Sequence, residues 1–325
     1  MFNGETGWRP GNCLFKSKPS WWADEIGEGA LASWAPEWFT DNIIHYSITQ
    51  GMESTGTCTG AAYVRGTAPN LYLEDIGEPV TCTFENENHS DVFMPGSIDP
   101  ASIITNGKAY LVYGGGYTWL AELNPSTGMT KNDEWFDESG NTPGYTYLAS
   151  GPTIRSPLGD EGAMPNEQGH YWQEAPYIIE KSGFFYLFIN WYTCCSTNSD
   201  YEIRVCRASK VDGPYLDKSG TDCTQGGGTL FKHRNDGSIG PGHASVFTYG
   251  NNYVFNNHYY RNIPSTPDVA FVSFVEHTVL KFDNEKWPYL EGKWDPASYW
   301  STLNSEYLTN EFSVFGSSAL ILILL

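Results

Sequence analysis

The chain has 325 residues with 18 basic against 38 acidic side chains, a net charge of −20. That balance excludes a basic phosphate-binding face, and with it nucleic acid as a partner. Aromatics reach 15% and charged residues only 17%, with 34 Gly and 19 Pro, a composition that favours strands and tight turns in one large all-β domain over helices.

Residues 1–33 begin polar, with no leader peptide in Met1-Phe-Asn-Gly-Glu. They carry apolar clusters at Trp8, Cys13-Leu-Phe and Pro19-Ser-Trp-Trp. From Trp34 onward one pattern recurs four times: Trp34-Ala-Pro-Glu-Trp-Phe, Asp99-Pro-Ala-Ser-Ile-Ile, Glu174-Ala-Pro-Tyr-Ile-Ile and His243-Ala-Ser-Val-Phe-Thr. Each copy is followed, a turn later, by a second apolar run, beginning at Ile43, Ala109, Phe184 and Tyr253. Spacings of 65, 75 and 69 residues between the leading positions match the blades of a β-propeller, whose innermost strands begin around a common axis. The reading is a five-bladed propeller over residues 1–297, with 1–33 as the outer half of a first, incomplete blade. Trp34, Asp99, Glu174 and His243 then converge on one mouth at equivalent positions.

The first copy runs to about Val92, the third to about Leu230 and the fourth to Trp287-Pro. Residues 129–173, rich in Gly, Pro, Asp and Glu, read as a long loop walling the mouth. The nearest helical candidates, 131–138 and 296–307, are short. The tail, 298–325, ends in Ala319-Leu-Ile-Leu-Ile-Leu-Leu, too short to span a bilayer.

Seven cysteines without a CxxC pair favour disulfides in a secreted protein over zinc. Cys58 and Cys82 bracket a hairpin-like region, Cys206 and Cys223 flank a turn-rich stretch, Cys194 and Cys195 are adjacent, and Cys13 is left over. Asn88-His-Ser is a glycosylation sequon. Two carboxylates, Asp99 and Glu174, at the openings of neighbouring inner strands are what glycosidic cleavage requires: one acid protonates the leaving oxygen while a second negative charge raises its pKa. The many aromatics suit the C–H faces of sugars.

Ser-Ile-Asp99-Pro, Glu174-Ala-Pro-Tyr-Ile-Ile, Trp34-Ala-Pro-Glu and Gly240-Pro-Gly-His243 together resemble glycoside hydrolase family 43. Asn190-Trp-Tyr-Thr-Cys-Cys, Tyr201-Glu-Ile-Arg-Val-Cys and Gly213-Pro-Tyr-Leu-Asp to Cys223-Thr-Gln-Gly-Gly-Gly-Thr resemble its secreted endo-1,5-α-L-arabinanases. The resemblance covers residues 8 to 290 and implies inverting hydrolysis of arabinan; a monomer with no membrane partner is the expected form. In it Glu174 is the general acid and Asp99 its pKa modulator and orienter. Trp34 and Trp191 are sugar-contacting aromatics, and His243 lies beside a calcium ion on the axis. It also implies Cys194–Cys195 and Cys206–Cys223 disulfides. The family's general base, an Asp opening the first inner strand, has no counterpart: one period before Trp34 falls ahead of Met1, and the expectation is a chain that has lost its first strands. An exo-acting arabinofuranosidase or β-xylosidase, or a non-catalytic sugar-binding propeller, are the alternatives.

Overall fold

The computed structural model describes residues 14–26, 32–49, 56–67, 70–84, 96–131, 144–156, 165–166, 168–195, 198–235, 237–261 and 272–294. Each of the four repeats folds into one antiparallel four-stranded meander. Blade 1 comprises β1 (Ala32–Thr40), β2 (Ile43–Thr49), β3 (Gly56–Arg65) and β4 (Tyr72–Phe84). Blade 2 comprises β5 (Ala101–Thr105), β6 (Lys108–Tyr113), β7 (Tyr117–Leu123) and β8 (Tyr145–Ser150). Blade 3 comprises β9 (Gln173–Lys181), β10 (Phe184–Trp191), β11 (Glu202–Ala208) and β12 (Thr229–Lys232). Blade 4 comprises β13 (Ile239–Tyr249), β14 (Asn252–Arg261), β15 (Val272–Phe282) and β16 (Pro288–Lys293). The first strands touch in series, β1 to β5, β5 to β9 and β9 to β13, as the innermost strands of a propeller do.

Alternation along each strand buries side chains on both sheet faces, so neighbouring blades share cores. Phe39, Ile43 and Val80 of blade 1 pack with Leu111, Tyr113 and Trp119 of blade 2. Leu120 and Leu148 of blade 2 meet Leu187, Ile189 and Trp191 of blade 3. Tyr186, Phe188 and Val205 of blade 3 meet Val246, Phe255 and Leu280 of blade 4.

Of the five blades expected, the described residues form four sheets. The half-blade foreseen in 1–33 fails in its described part. Phe15 makes a single parallel bridge to Leu73, and Trp21–Ile26 winds into a short helix, α1. The adjacent tryptophans explain this, because a strand would send Trp21 and Trp22 to opposite faces whereas the helical turn turns both inward. Trp22 Nε1 donates to Tyr46 Oη at 3.2 Å and Trp21 Nε1 to Asp75 Oδ1 at 2.8 Å. With Phe15 they cover Ile44, Tyr46 and Ile48, the face of blade 1 turned away from blade 2.

Boundaries shift as well. The presumed loop 129–173 contains β8, the outermost strand of blade 2, and blade 4 continues past Trp287 through β16. The sequon at Asn88, Cys13, most of 131–138, 296–307 and the tail lie outside the described residues. Cys58–Cys82 joins directly opposed residues of β3 and β4, Cys206–Cys223 ties β11 to a 3-10 turn, and Cys194–Cys195 is a vicinal bridge.

The α1 cap sets a stability test. Trp22→Ala should lower the unfolding free energy by about 3–5 kcal/mol, seen as a lower urea midpoint. Trp22→Phe, which keeps the ring contacts with Phe15 and Tyr46, should cost clearly less.

Candidate active site

Every innermost strand carries the same irregularity near its start. Two residues oppose one on the neighbouring strand: Ala35-Pro36 against Tyr46, Ala175-Pro176 against Ile189, and His243-Ala244 against Asn257. In blade 2 Ile98 O accepts from Gly114 N at 2.9 Å and Ala101 pairs with Val112, leaving Asp99-Pro100 against Tyr113. The first residue of each bulge is left-handed, with φ of 44° at Ala35, 55° at Asp99, 51° at Ala175 and 53° at His243. Bulges re-aim side chains and leave the extra residue's N–H outside the ladder.

This geometry corrects the expected equivalence of the four leading residues. Trp34 and Glu174 occupy the position before the left-handed residue, where blade 2 has Ile98 and blade 4 has Gly242. Asp99 and His243 are the left-handed residues themselves. The chemistry is therefore offset by one residue between alternate blades.

The freed N–H groups are satisfied from the preceding blade. Asp99 N donates to Ser47 Oγ at 2.8 Å, Ala175 N to Asp99 Oδ2 at 3.0 Å, and His243 N to Asn190 Oδ1 at 2.9 Å. Ser47 and Asn190 are the ladder partners of Trp34 and Glu174. Blade 2 has Gly114 at that place and no side chain to offer, so the carboxylate of Asp99 does the work.

Asp99 and Glu174 thus meet at one junction. Asp99 is 8% exposed; burial raises its pKa, against the lowering effect of the Ala175 N–H. Glu174 is half-buried, and its pKa is pushed up to about 7, first by desolvation and then by the charge of Asp99. Tyr201 Oη donates to Glu174 Oε1 at 2.8 Å and Trp172 Nε1 to Oε2 at 2.9 Å, both favouring the ionised form. The pair is suited to holding one proton between them near neutrality. His243 faces the same junction, its Nδ1 4.0 Å from Asp99 Oδ1; desolvation lowers its pKa, so the ring is neutral at pH 7 and this is a polar contact rather than an ion pair. Such an arrangement can deliver a proton to an oxygen bound in the mouth.

Of the aromatics foreseen as sugar contacts, Trp34 is 40% exposed and holds the position in blade 1 that Glu174 holds in blade 3. Trp191 is a correction. It is 4% exposed, within the core between blades 2 and 3, and Arg204 lies 4.3 Å over its ring, so its face is packed rather than presented to the mouth. Tyr201 and Trp172, which hold the two oxygens of Glu174, were not singled out as site residues by sequence reasoning. Trp172 lay inside the supposed loop, although its place two residues before Glu174 would put both on one face of an extended segment.

The profile of glycosyl hydrolases family 43 matches residues 6–280. The chain belongs to glycosyl hydrolases family 43. It is 28% identical over 299 residues to the extracellular exo-α-(1→5)-L-arabinofuranosidase ArbA of Cellvibrio japonicus, covering 88% of this chain and 78% of the relative. It is 32% identical over 179 residues to a probable arabinan endo-1,5-α-L-arabinosidase B of Aspergillus oryzae, which is 50% of this chain and 48% of that relative. The solved Cellvibrio cellulosa α-L-arabinanase superposes with a TM-score of 0.68 at 25% identity, covering 87% of this chain and 85% of that structure.

Among the described residues, the side chains around His243 do not by themselves make up the calcium site expected there. Calcium takes six to eight oxygen ligands, and the described surroundings of His243 supply one nearby carboxylate, Asp99, already engaged with Ala175. Among the described residues no three His, Cys, Asp or Glu side chains gather to hold a metal, and no step below is routed through one.

Two tests follow from this geometry. Ser47→Ala leaves the buried Asp99 N–H without its acceptor and should cost about 1–3 kcal/mol in chemical denaturation. The carboxyl pair gives a pH test. Both groups bind protons more tightly folded than unfolded, where Asp and Glu titrate near 4. Their contribution to stability is therefore fully present below about pH 4 and is lost as pH rises towards about 7. Asp99→Asn should flatten that decline, and unchanged slopes of melting temperature between pH 4 and 7 would refute the assignment.

Proposed function

We propose that the chain hydrolyses α-1,5-L-arabinofuranosidic bonds of arabinan, the polysaccharide side chains of plant pectin, with inversion at the anomeric carbon. The observation that carries the reading is the junction of Glu174 and Asp99, where burial and the charge of Asp99 raise the pKa of Glu174 and the half-exposed Trp172 donates to its carboxylate. The family membership gives the reaction class, and the names of the relatives the sugar.

In this reading Glu174 protonates the glycosidic oxygen as the C–O bond breaks. Asp99 acts through it in two ways. Its negative charge keeps the proton on Glu174 until the leaving oxygen develops charge, and its bond to Ala175 N fixes the backbone next to the acid. Tyr201 and Trp172 then stabilise the carboxylate left behind, since hydrogen bonds to an ionised acceptor are the stronger kind. His243, neutral and bonded through its backbone to Asn190, bounds the mouth on the blade 4 side. Inversion further requires a carboxylate on the opposite face of the sugar to activate water. Three disulfides fit an oxidising, extracellular setting, and the extracellular names of relatives support secretion.

The test uses linear α-1,5-arabino-oligosaccharides. Glu174→Gln should lower kcat by about 10²–10⁴ with little change in oligosaccharide affinity, and proton NMR of the first product should show the inverted anomer. A wild-type chain that binds the oligosaccharides but never cleaves them would instead identify a sugar-binding propeller.

A further inference from the structure

We propose that Trp172 is the platform for the sugar ring on the leaving-group side of the scissile bond, and that the same indole, through its N–H, assists Glu174 in giving up its proton. This rests on the reading of Glu174 as the acid in arabinan hydrolysis.

The placement of the indole is unusual for an aromatic of its size. Trp172 is 49% exposed, whereas large aromatics are mostly buried. It is also not loosely held. Its carbonyl accepts from Tyr192 N at 3.0 Å, and the next residue, Gln173, is fully buried and bonded through its carbonyl to Gly116 N at 2.7 Å and through its side chain to Thr118 at 3.0 Å. The ring lies against the turn between β6 and β7. A Cβ built on Gly115 would stand 3.0 Å from Trp172 Cζ2, and one on Gly116 would stand 3.6 Å from Cζ3. Blade 2 thus offers the glycine backbone of Gly115-Gly116, beside the Ile98 side chain, as a floor for one edge of the indole, while about half of the residue stays exposed.

The ligand follows from the partner of the N–H. Nε1 donates to Glu174 Oε2 at 2.9 Å, so whatever lies on the exposed indole lies beside the acid. An acid protonates the oxygen that departs, and the ring attached to that oxygen is the leaving sugar. A furanose has an apolar C–H face to set on the indole and hydroxyls to leave in water, the usual division of labour in a site lined by aromatics. Tyr201 is buried and holds Oε1 from the protein side, which leaves Oε2, the oxygen shared with Trp172, as the one turned to the substrate. As Glu174 loses its proton to the leaving oxygen, the indole N–H strengthens its bond to the carboxylate that forms. Binding of the leaving sugar and acid strength are thereby joined in one side chain.

The experiment compares Trp172→Ala and Trp172→Phe in the full chain, with thermal melting to establish that both fold. Alanine removes ring and donor together; it should raise KM for oligosaccharides that reach past the scissile bond by about tenfold or more. Phenylalanine keeps a flat face and loses only the N–H. Its KM should stay near wild type, while the alkaline limb of kcat/KM moves to higher pH, because a donor that favoured the ionised form is gone. Dissociation constants for the same oligosaccharides, measured in the Glu174→Gln background, read the platform without turnover and should weaken about tenfold on adding Trp172→Ala. Wild-type KM and affinity in the alanine variant, or an unmoved alkaline limb in the phenylalanine variant, would overturn the inference. Wild-type turnover in Glu174→Gln alone would overturn the underlying reading instead, so the two failures are distinct.

Discussion

One hydrogen-bonding demand organises the mouth of this propeller. Each innermost strand bulges by one residue, and the N–H of the left-handed residue must find an acceptor off its own ladder. Ser47, Asp99 and Asn190 answer that demand at three successive junctions, binding blade to blade at the point where the ring is narrowest. Asp99 is special because it is both client and supplier: its own N–H is capped from blade 1 while its carboxylate caps blade 3. The glycine at position 114 forces this double duty, and a carboxylate arrives beside Glu174 as a consequence of backbone accounting. His258 holds the place in blade 4 that Ser47 and Asn190 hold in theirs; its Nε2 is buried without a hydrogen-bond partner among the described residues, and burial drives its pKa down to about 3.

The acid chemistry grows from that scaffold. Taking two carboxyls out of water disfavours charge on either, and proximity disfavours charge on both. Against this stand donors that favour ionisation: the Ala175 N–H on Asp99, and Tyr201 and Trp172 on Glu174. Neither side wins outright, which is what proton donation near neutral pH demands. The rigid members of the set are buried or backbone, whereas Trp172, Trp34 and the His243 side chain are partly exposed.

Much of this was legible in the sequence. Four repeats with Asp99, Glu174, His243 and Trp34 near their starts mark the four sheets and the contents of the mouth, since propeller symmetry sends like positions to like places. The one-residue offset was not legible, because a bulge adds a residue without leaving a compositional trace when the left-handed position is held by Ala, Asp or His in place of Gly. Trp191 was misread because a tryptophan in a strand looks the same whether its face is core or cleft; here its face packs on blade 2. Residues 145–150 were hidden by the Gly- and Pro-rich run around them, and Trp21-Trp22 by a helix too short to show a period. Tyr201 reaches Glu174 from the third strand of blade 3, a contact no local pattern encodes.

The same contact has a consequence for how the site can diverge. A Cβ on Gly242 would come within 2.1 Å of the Tyr201 ring and 2.9 Å of His258 Nε2. The tyrosine that supports the acid from blade 3 therefore dictates the smallest possible residue on blade 4, at the position where blade 3 carries the acid itself. The two sites are locked as a pair. Among relatives, a side chain at 242 should appear only alongside a smaller residue at 201, and with that exchange the acid would lose its inner donor. The Tyr201 ring thus fills the space that a side chain at position 242 would need, so a carboxylate placed there requires a second change to make room for it.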